Sequence, residues 1–378
     1  MIYLFVFFVS ILATYFAEYC IRRNNKVAFY LFSSIAILVP SILAGYRDSG
    51  VGTDTLIYVD QVYNQVSGIS SWHQFIHAYK NGDFASIEFV YLLINFFVST
   101  FFHSLNWLYF FTSFIINLFF YLAAYDNRKK ASMWLVMALF LLLFYNQGLN
   151  IVRQTIAISM SLYAFKYIER KKWLPALIWC FIILKTHNTG IFYVLVGIVY
   201  FACQIKGKVK RRVLKSLLVI GVLGALLYLN ETIILFVSLG LLPDKFLMYL
   251  AQGDSDKTIK ALLVMYAITI CLYFISGYLR GKRNSKESKY FFYNKLVGIL
   301  LFLSSFISQW GFRIGFYFNV MDCIFIPRVI YKMKRNKTVY YTLNITLLAL
   351  ALAVWIWVIV IRDGNETFPY KSKLLDII

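Results

Sequence analysis

The chain has 378 residues, 61% of them hydrophobic and only 15% charged, and carries a formal charge of +21. Soluble domains hold roughly 25% charged and 45–50% apolar residues, and a single core in a chain of this length cannot hide the excess. The composition therefore excludes a soluble globular protein and makes the lipid bilayer the solvent for most of the chain.

In lipid every backbone polar group needs an internal partner, so the spans are helices or a closed barrel. Barrel strands alternate apolar and polar residues. Residues 135–145 and 347–361 are unbroken apolar runs, which reads as helix. Apolar segments recur at 1–20, 27–45, 87–102, 107–125, 131–146, 151–169, 173–186, 188–204, 213–232, 259–279, 290–308, 314–331 and 339–361. The expected fold is all-α: one polytopic membrane helix bundle over 1–378, with about 12 transmembrane helices, between 11 and 13. The first segment has no basic residue ahead of it and no clear cleavage site, and reads as a membrane helix rather than a signal peptide.

The positive charge is parcelled into short clusters at 22–26, 128–130, 170–172, 206–212, 280–286 and 332–337. Such parcels between apolar runs are cytoplasmic topology signals. Nucleic-acid binding needs a basic face on a soluble domain, and the sequence has none. The long loops 46–87 and 231–258 lie on other connections and are predicted to be external. The turns at 146–154, 185–189 and 308–313 and the tail 362–378 are predicted to join them. Thirteen full crossings conflict with that sidedness, so one segment within 87–146 is expected to be broken or re-entrant. Trp72, Phe75, Ile76 and Tyr79 recur at helical spacing among polar neighbours, which predicts an amphipathic helix on the outer membrane surface.

A charge inside a membrane helix costs roughly 2.5–3.5 kcal/mol on insertion scales, so ionisable groups near the external face are site candidates. Arg47, Asp48, Gly52, Asp54 and Tyr58 form the first group. The glycine permits a tight turn, and a carboxylate can take or orient the proton of a hydroxyl. Helix capping by Thr53 or Asp54, and pairing of Arg47 with Asp48, are the structural alternatives. Arg153 and Gln154 open a helix whose small residues Ala157, Ser161 and Ala164 share the Arg153 face. A guanidinium there suits a phosphate or pyrophosphate, against a snorkelling interfacial role. His187 interrupts an apolar stretch at a predicted outer turn, as base or phosphate donor, or as a structural hydrogen-bonding residue. Arg313 and Tyr317 stand one turn apart on a helix face. Asp322 lies deeper on that helix and is placed to pair with a neighbouring one.

His73 and His77 have metal-ligand spacing without a third ligand. Cys20, Cys180, Cys203, Cys271 and Cys323 lie in or beside apolar runs with no C-x-x-C pair. Neither a metal site nor a disulfide framework is expected. There is no P-loop, nucleophile elbow or dinucleotide fingerprint, and no cofactor is expected.

Several short motifs, in order, resemble the EpsG family of Wzy-like polymerases of bacterial exopolysaccharide, capsule and O-antigen. They are Arg47…Gly52-Thr53-Asp54…Tyr58, Glu88-Phe89, Asn150-x-x-Arg153-Gln154, His187 after an apolar run, Arg313…Tyr317-Phe318…Ile326-Pro327, and Pro369-Tyr370. The resemblance implies a membrane glycosyltransferase in the bacterial inner (plasma) membrane. Such an enzyme moves a glycan from an undecaprenyl-pyrophosphate donor to a hydroxyl of an acceptor repeat unit on the outer face. On that reading Asp54, Asp48 and His187 are the candidate bases or orienters. Arg153 and Arg313 are the candidates for the pyrophosphate, with Gln154 and Arg47 beside them. Tyr58, Tyr317 and Tyr370 are candidates for sugar or lipid phosphate. The expected partners are the lipid-linked oligosaccharide, the bilayer, a flippase and a chain-length regulator. The rival readings are a flippase or transporter for lipid-linked sugars, and an O-antigen ligase. A transporter predicts charge spread through the cavity depth and an internal repeat. The sequence has no visible repeat, and its candidates cluster at the predicted outer face.

Overall fold

The computed structural model describes residues 2–84, 87–205, 228–240, 286–303 and 309–377, with isolated positions between 207 and 247. Among them the chain is helical, and one isolated bridge, Ser372 to Ile377, is the only β pairing. The expected segment 259–279, the basic cluster at 280–283, Cys271 and most of 213–228 and 241–258 lie outside the described residues.

α1 (Ile2–Arg22) and α2 (Lys26–Tyr46) form an antiparallel hairpin. Asn25 caps α2, its Oδ1 accepting from the Ala28 N–H at 3.1 Å. Ala13, Ala17, Ala36 and Ala44 are buried, and such small side chains let helix backbones approach in lipid. After a π turn at Thr55–Val59 come α3 (Asp60–Ser67) and α4 (Trp72–Asn81). Then follow α5 (Phe89–Phe102), α6 (Leu105–Asn127), α7 (Met133–Leu143), α8 (Tyr145–Asn150), α9 (Val152–Glu169) and α10 (Trp173–Thr186). A 3₁₀ turn at Asn188–Ile191 leads into α11 (Phe192–Gln204). α12 (Leu229–Ser238), α13 (Lys286–Leu303), α14 (Gln309–Asn319), α15 (Asp322–Tyr331) and α16 (Lys337–Trp355) complete the set.

The bundle has two chemically distinct ends. One gathers the start of α1, the end of α2, the α8–α9 corner, the end of α16 and the tail. There the Tyr3 hydroxyl donates to the Thr367 carbonyl at 2.7 Å, Asn106 Nδ2 to the Gly45 carbonyl at 2.7 Å, and Trp355 Nε1 to Asn146 Oδ1 at 2.8 Å. The other end collects the basic clusters at 22–26, 128–130, 170–172 and 332–337. Arg328 forks onto Glu169 at 2.7 and 2.9 Å and reaches Asn127 Oδ1 at 2.8 Å, while Lys332 meets Glu287 at 2.7 Å. Asp322 does pair with a neighbouring helix: its partner is Lys295 of α13, and both are buried.

Among the described residues, five helical stretches are long and apolar enough to cross a membrane by themselves: Ile2–Arg22, Lys26–Tyr46, Leu105–Asn127, Arg313–Tyr331 and Lys337–Ile361. α5, α7, α10 and the stretch Asn188–Gln204 are apolar but shorter, so the described residues do not by themselves confirm the expected dozen crossings. Within 87–146, α5 departs from a simple crossing. It begins at Glu88 beside Arg153, and its last residue Phe102 packs on Trp107 in the first turn of α6, ring centroids 4.9 Å apart. Asn106 pins that turn of α6 to Gly45, so both ends of α5 lie toward the same end of the bundle.

The aromatic helix expected on the membrane surface is α4, capped by Ser71 and closed by Gly82 in the left-handed region. Part of its apolar face meets protein, while Trp72 stays 52% exposed. Phe75 is fully buried and stacks on Phe96 of α5 at 4.7 Å, and Tyr79 meets Phe89 at 5.0 Å. The phenylalanine-rich α5 supplies the protein side of that contact.

Candidate functional site

The site is built on two backbone irregularities. Gly52 has φ +92°, and a Cβ there would stand 2.9 Å from the Leu149 carbonyl, so only glycine lets this loop press against the α8–α9 corner. The contact is then fastened from two directions. The Asp54 N–H donates to Asn150 Oδ1 at 2.9 Å, and Arg47 Nη1 donates to the Leu149 carbonyl at 2.7 Å. Ile151 breaks the helix between α8 and α9, which places Arg153 and Gln154 in the first turn of α9. The positive end of the α9 dipole therefore adds to the Arg153 charge.

These elements wall a cleft that encloses about 820 Å³ when its open mouth is included. Asp54, Tyr58, Glu88, Arg153, His187 and Arg313 line it, with Gln154 and Asn150 between them. Arg153 Nη1 holds Glu88 Oε2 at 2.8 Å, and its guanidinium lies 5.8 Å from the centroids of both the Tyr58 and Tyr91 rings. Gln154 Nε2 donates to the Arg313 backbone carbonyl at 2.7 Å, which fixes α14 against α9.

Asp54 stands at the cap position of the π turn, yet its side chain makes no cap hydrogen bond. Asp54 therefore does not cap the turn, and its carboxylate lines the cleft. Burial pushes its pKa above the ordinary carboxylate value, against the opposing pull of Arg313 and then Arg153. A carboxyl poised in this way is a better proton acceptor than an exposed one. The other cleft carboxylate is differently placed. Both oxygens of Glu88 are engaged, one by Arg153 and one by the Asn188 N–H at 3.0 Å.

His187 is oriented through Thr189. Its Nδ1 accepts from the Thr189 N–H at 3.2 Å and sits 2.7 Å from Thr189 Oγ1, itself 3.1 Å from the Tyr317 hydroxyl. With Nδ1 accepting, the neutral ring carries its proton on Nε2. The ring thereby stands in the cleft wall with Nδ1 held by Thr189. Tyr317 is fully buried and acts on the cleft through Thr189.

Besides Tyr317, three of the sequence candidates lie outside the cleft wall. Asp48 faces the tail, its Oδ1 accepting from the Lys373 N–H at 3.0 Å. Arg47 turns inward, 1% exposed, with its guanidinium over the Tyr109 ring at 4.6 Å. The two do not form an ion pair with each other. Tyr370 is buried and donates to the Leu43 carbonyl at 2.8 Å. All three hold the loop and tail in place around the cleft. Asp48→Asn keeps the acceptor oxygen, so polymer yield in complemented cells should stay within about twofold of wild type, the scale of a surface substitution. A loss comparable to that of a cleft residue would return Asp48 to the site.

Glu88, Asn150, Asn188 and Thr189 were not singled out as site residues by the sequence reading. Glu88 had the clearest signal, a carboxylate placed at the head of the apolar run 87–102. No group of three His, Cys, Asp or Glu side chains that could hold a metal ion occurs among the described residues. His77, one of the spaced pair, is exposed and meets Asn81 at 3.0 Å.

Helices apolar enough for lipid and a charged cleft at one end of the bundle define a polytopic membrane protein. The family model of EpsG matches residues 30–372, so the chain belongs to the EpsG family, a family of Wzy-like polysaccharide polymerases. The match spans every residue of the cleft. No curated protein matches the chain, and neither does any solved structure.

Proposed function

We propose that this chain is the repeat-unit polymerase of a bacterial exopolysaccharide, capsule or O-antigen, acting at the outer face of the cell membrane. It transfers the growing glycan from an undecaprenyl-pyrophosphate donor to a hydroxyl of an incoming lipid-linked repeat unit. The observation that carries the reading is the meeting of Asp54 with Arg153 and Arg313 in one open cleft.

In the proposed step the acceptor oxygen forms a bond to the anomeric carbon of the donor glycan. The bond from that carbon to the pyrophosphate oxygen breaks. The acceptor proton passes to Asp54, and the electron pair leaves with the lipid pyrophosphate. Arg153, Arg313 and the first turn of α9 place positive charge where that negative charge develops. His187, in the cleft wall, stands beside them as the second group able to orient the acceptor hydroxyl or meet a phosphate oxygen. The Tyr58 ring, half-exposed at the cleft, offers a sugar-binding surface. A flippase delivering repeat units and a chain-length regulator are the proposed working partners.

The deciding experiment is deletion of the gene followed by analysis of lipid-linked glycans and their sidedness. Single repeat units on undecaprenyl pyrophosphate should accumulate at the outer face, with no polymer. Units trapped at the inner face would make the chain a flippase. Full-length polymer left on its lipid carrier would make it a ligase.

A further inference from the structure

Glu88 occupies the position where a carboxylate ordinarily caps its own helix, immediately before α5, but it makes no side-chain cap bond. Instead it is 9% exposed and joins two other elements. Oε2 takes the guanidinium of Arg153 at 2.8 Å, and Oε1 takes the backbone N–H of Asn188 at 3.0 Å, next to His187. The remaining N–H groups of Arg153 have no protein acceptor among the described residues. One ion pair thus sets the position of Arg153 relative to His187, and it does so from within the cleft wall.

An anion arriving at Arg153 must compete with this carboxylate. We propose that Glu88 is a positioning residue that works as a return latch: it holds Arg153 in the empty cleft and retakes the guanidinium from the departing lipid pyrophosphate. The inference rests on the reading of the cleft as a polyprenyl-pyrophosphate site. Its consequence runs opposite to that of a simple structural support. Neutralising Glu88 leaves Arg153 wholly to the pyrophosphate, so the leaving group is held more tightly and turnover slows at release. The Oε1 acceptor for Asn188 survives in glutamine, so the cleft wall keeps its shape.

The test is binding of undecaprenyl pyrophosphate to the purified full-length protein in nanodiscs. Glu88→Gln should bind it about tenfold more tightly than wild type, the scale of one lost competing charge pair. Glu88→Asp, which keeps the charge but draws it back by one methylene, should tighten binding by less. Arg153→Ala should bind weakly, and Glu88→Gln added to it should restore nothing. Polymerisation by Glu88→Gln should show a lower apparent KM for donor, a lower kcat and stronger inhibition by added undecaprenyl pyrophosphate. Unchanged or weaker binding by Glu88→Gln, with Arg153→Ala still defective, overturns the latch and leaves the proposed function standing. Failure of wild type to bind the probe at all removes the donor reading, and the latch with it. If neither Glu88→Gln nor Glu88→Asp can be recovered folded, Glu88 is a structural join, which also overturns the latch.

Discussion

Asp54→Asn is expected to lower polymer formation by about 10²–10⁴-fold, the range supplied by a positioned general base. The substitution is nearly isosteric, and the Asp54 side chain makes no cap hydrogen bond that would be lost. The backbone contact from its N–H to Asn150 is untouched. The protein should therefore stay in the membrane at wild-type level, as immunoblotting of membrane fractions would check. The pH profile gives a second, independent readout. Burial raises the Asp54 pKa above the usual carboxylate range, with Arg313 and Arg153 pulling the other way. The proton-accepting form is the carboxylate, which fills as pH rises through that raised value. Polymerisation in membrane vesicles should thus fall off on the acid side, at a pH higher than an ordinary aspartate would give. In Asp54→Asn that acid limb should vanish along with most of the rate. Wild-type polymer from Asp54→Asn, or an unchanged acid limb in its residual activity, would remove Asp54 as the base.

Much of this architecture was readable in the residues, for identifiable physical reasons. The helices follow from unbroken apolar runs. The sorting of the bundle into two ends follows from basic clusters that recur between those runs, and Glu18, Glu169 and Glu287 meet the basic groups there. The path of α5 could not be read in the same way, because hydropathy reports solvent and not direction. Phe89–Phe102 is as apolar as a crossing helix, and only its contacts with α4 and α6 show that both of its ends lie on one side. The cleft was legible as a set of turns but not side chain by side chain. Arg47, Asp48 and Asp54 lie within eight positions of one another, yet they end up buried under the floor, turned to the tail and open to the cleft. That separation comes from the left-handed Gly52, which redirects the chain between them. Glu88 stayed hidden because its partners, Arg153 and Asn188, are 65 and 100 positions away.

Arg153→Ala is expected to abolish long-chain polymer, a loss of about 10²–10³-fold if the guanidinium stabilises the leaving pyrophosphate as one preorganised donor does. Interpreting that loss requires care with Glu88. Removing Arg153 leaves a buried carboxylate with one oxygen unpaired, at a cost of about 1–3 kcal/mol in stability. A fall in polymer would then have two origins, a missing cation and a weakened fold. The double variant Arg153→Ala with Glu88→Gln separates them. Glutamine carries no charge, so the stability penalty of the unpaired carboxylate is largely relieved. If Arg153 serves the reaction, the double variant should recover its membrane level and thermal stability in detergent while polymer remains absent. Single lipid-linked repeat units should accumulate at the outer face, as in the deletion. If Arg153 serves only to pair with Glu88, polymer should return together with stability, and the assignment of Arg153 to the pyrophosphate fails. Arg153→Lys sharpens the same point. It keeps the charge but loses the planar fork that can hold Glu88 and a phosphate oxygen at once. Its activity should lie between wild type and alanine, with the larger part of its defect in donor KM.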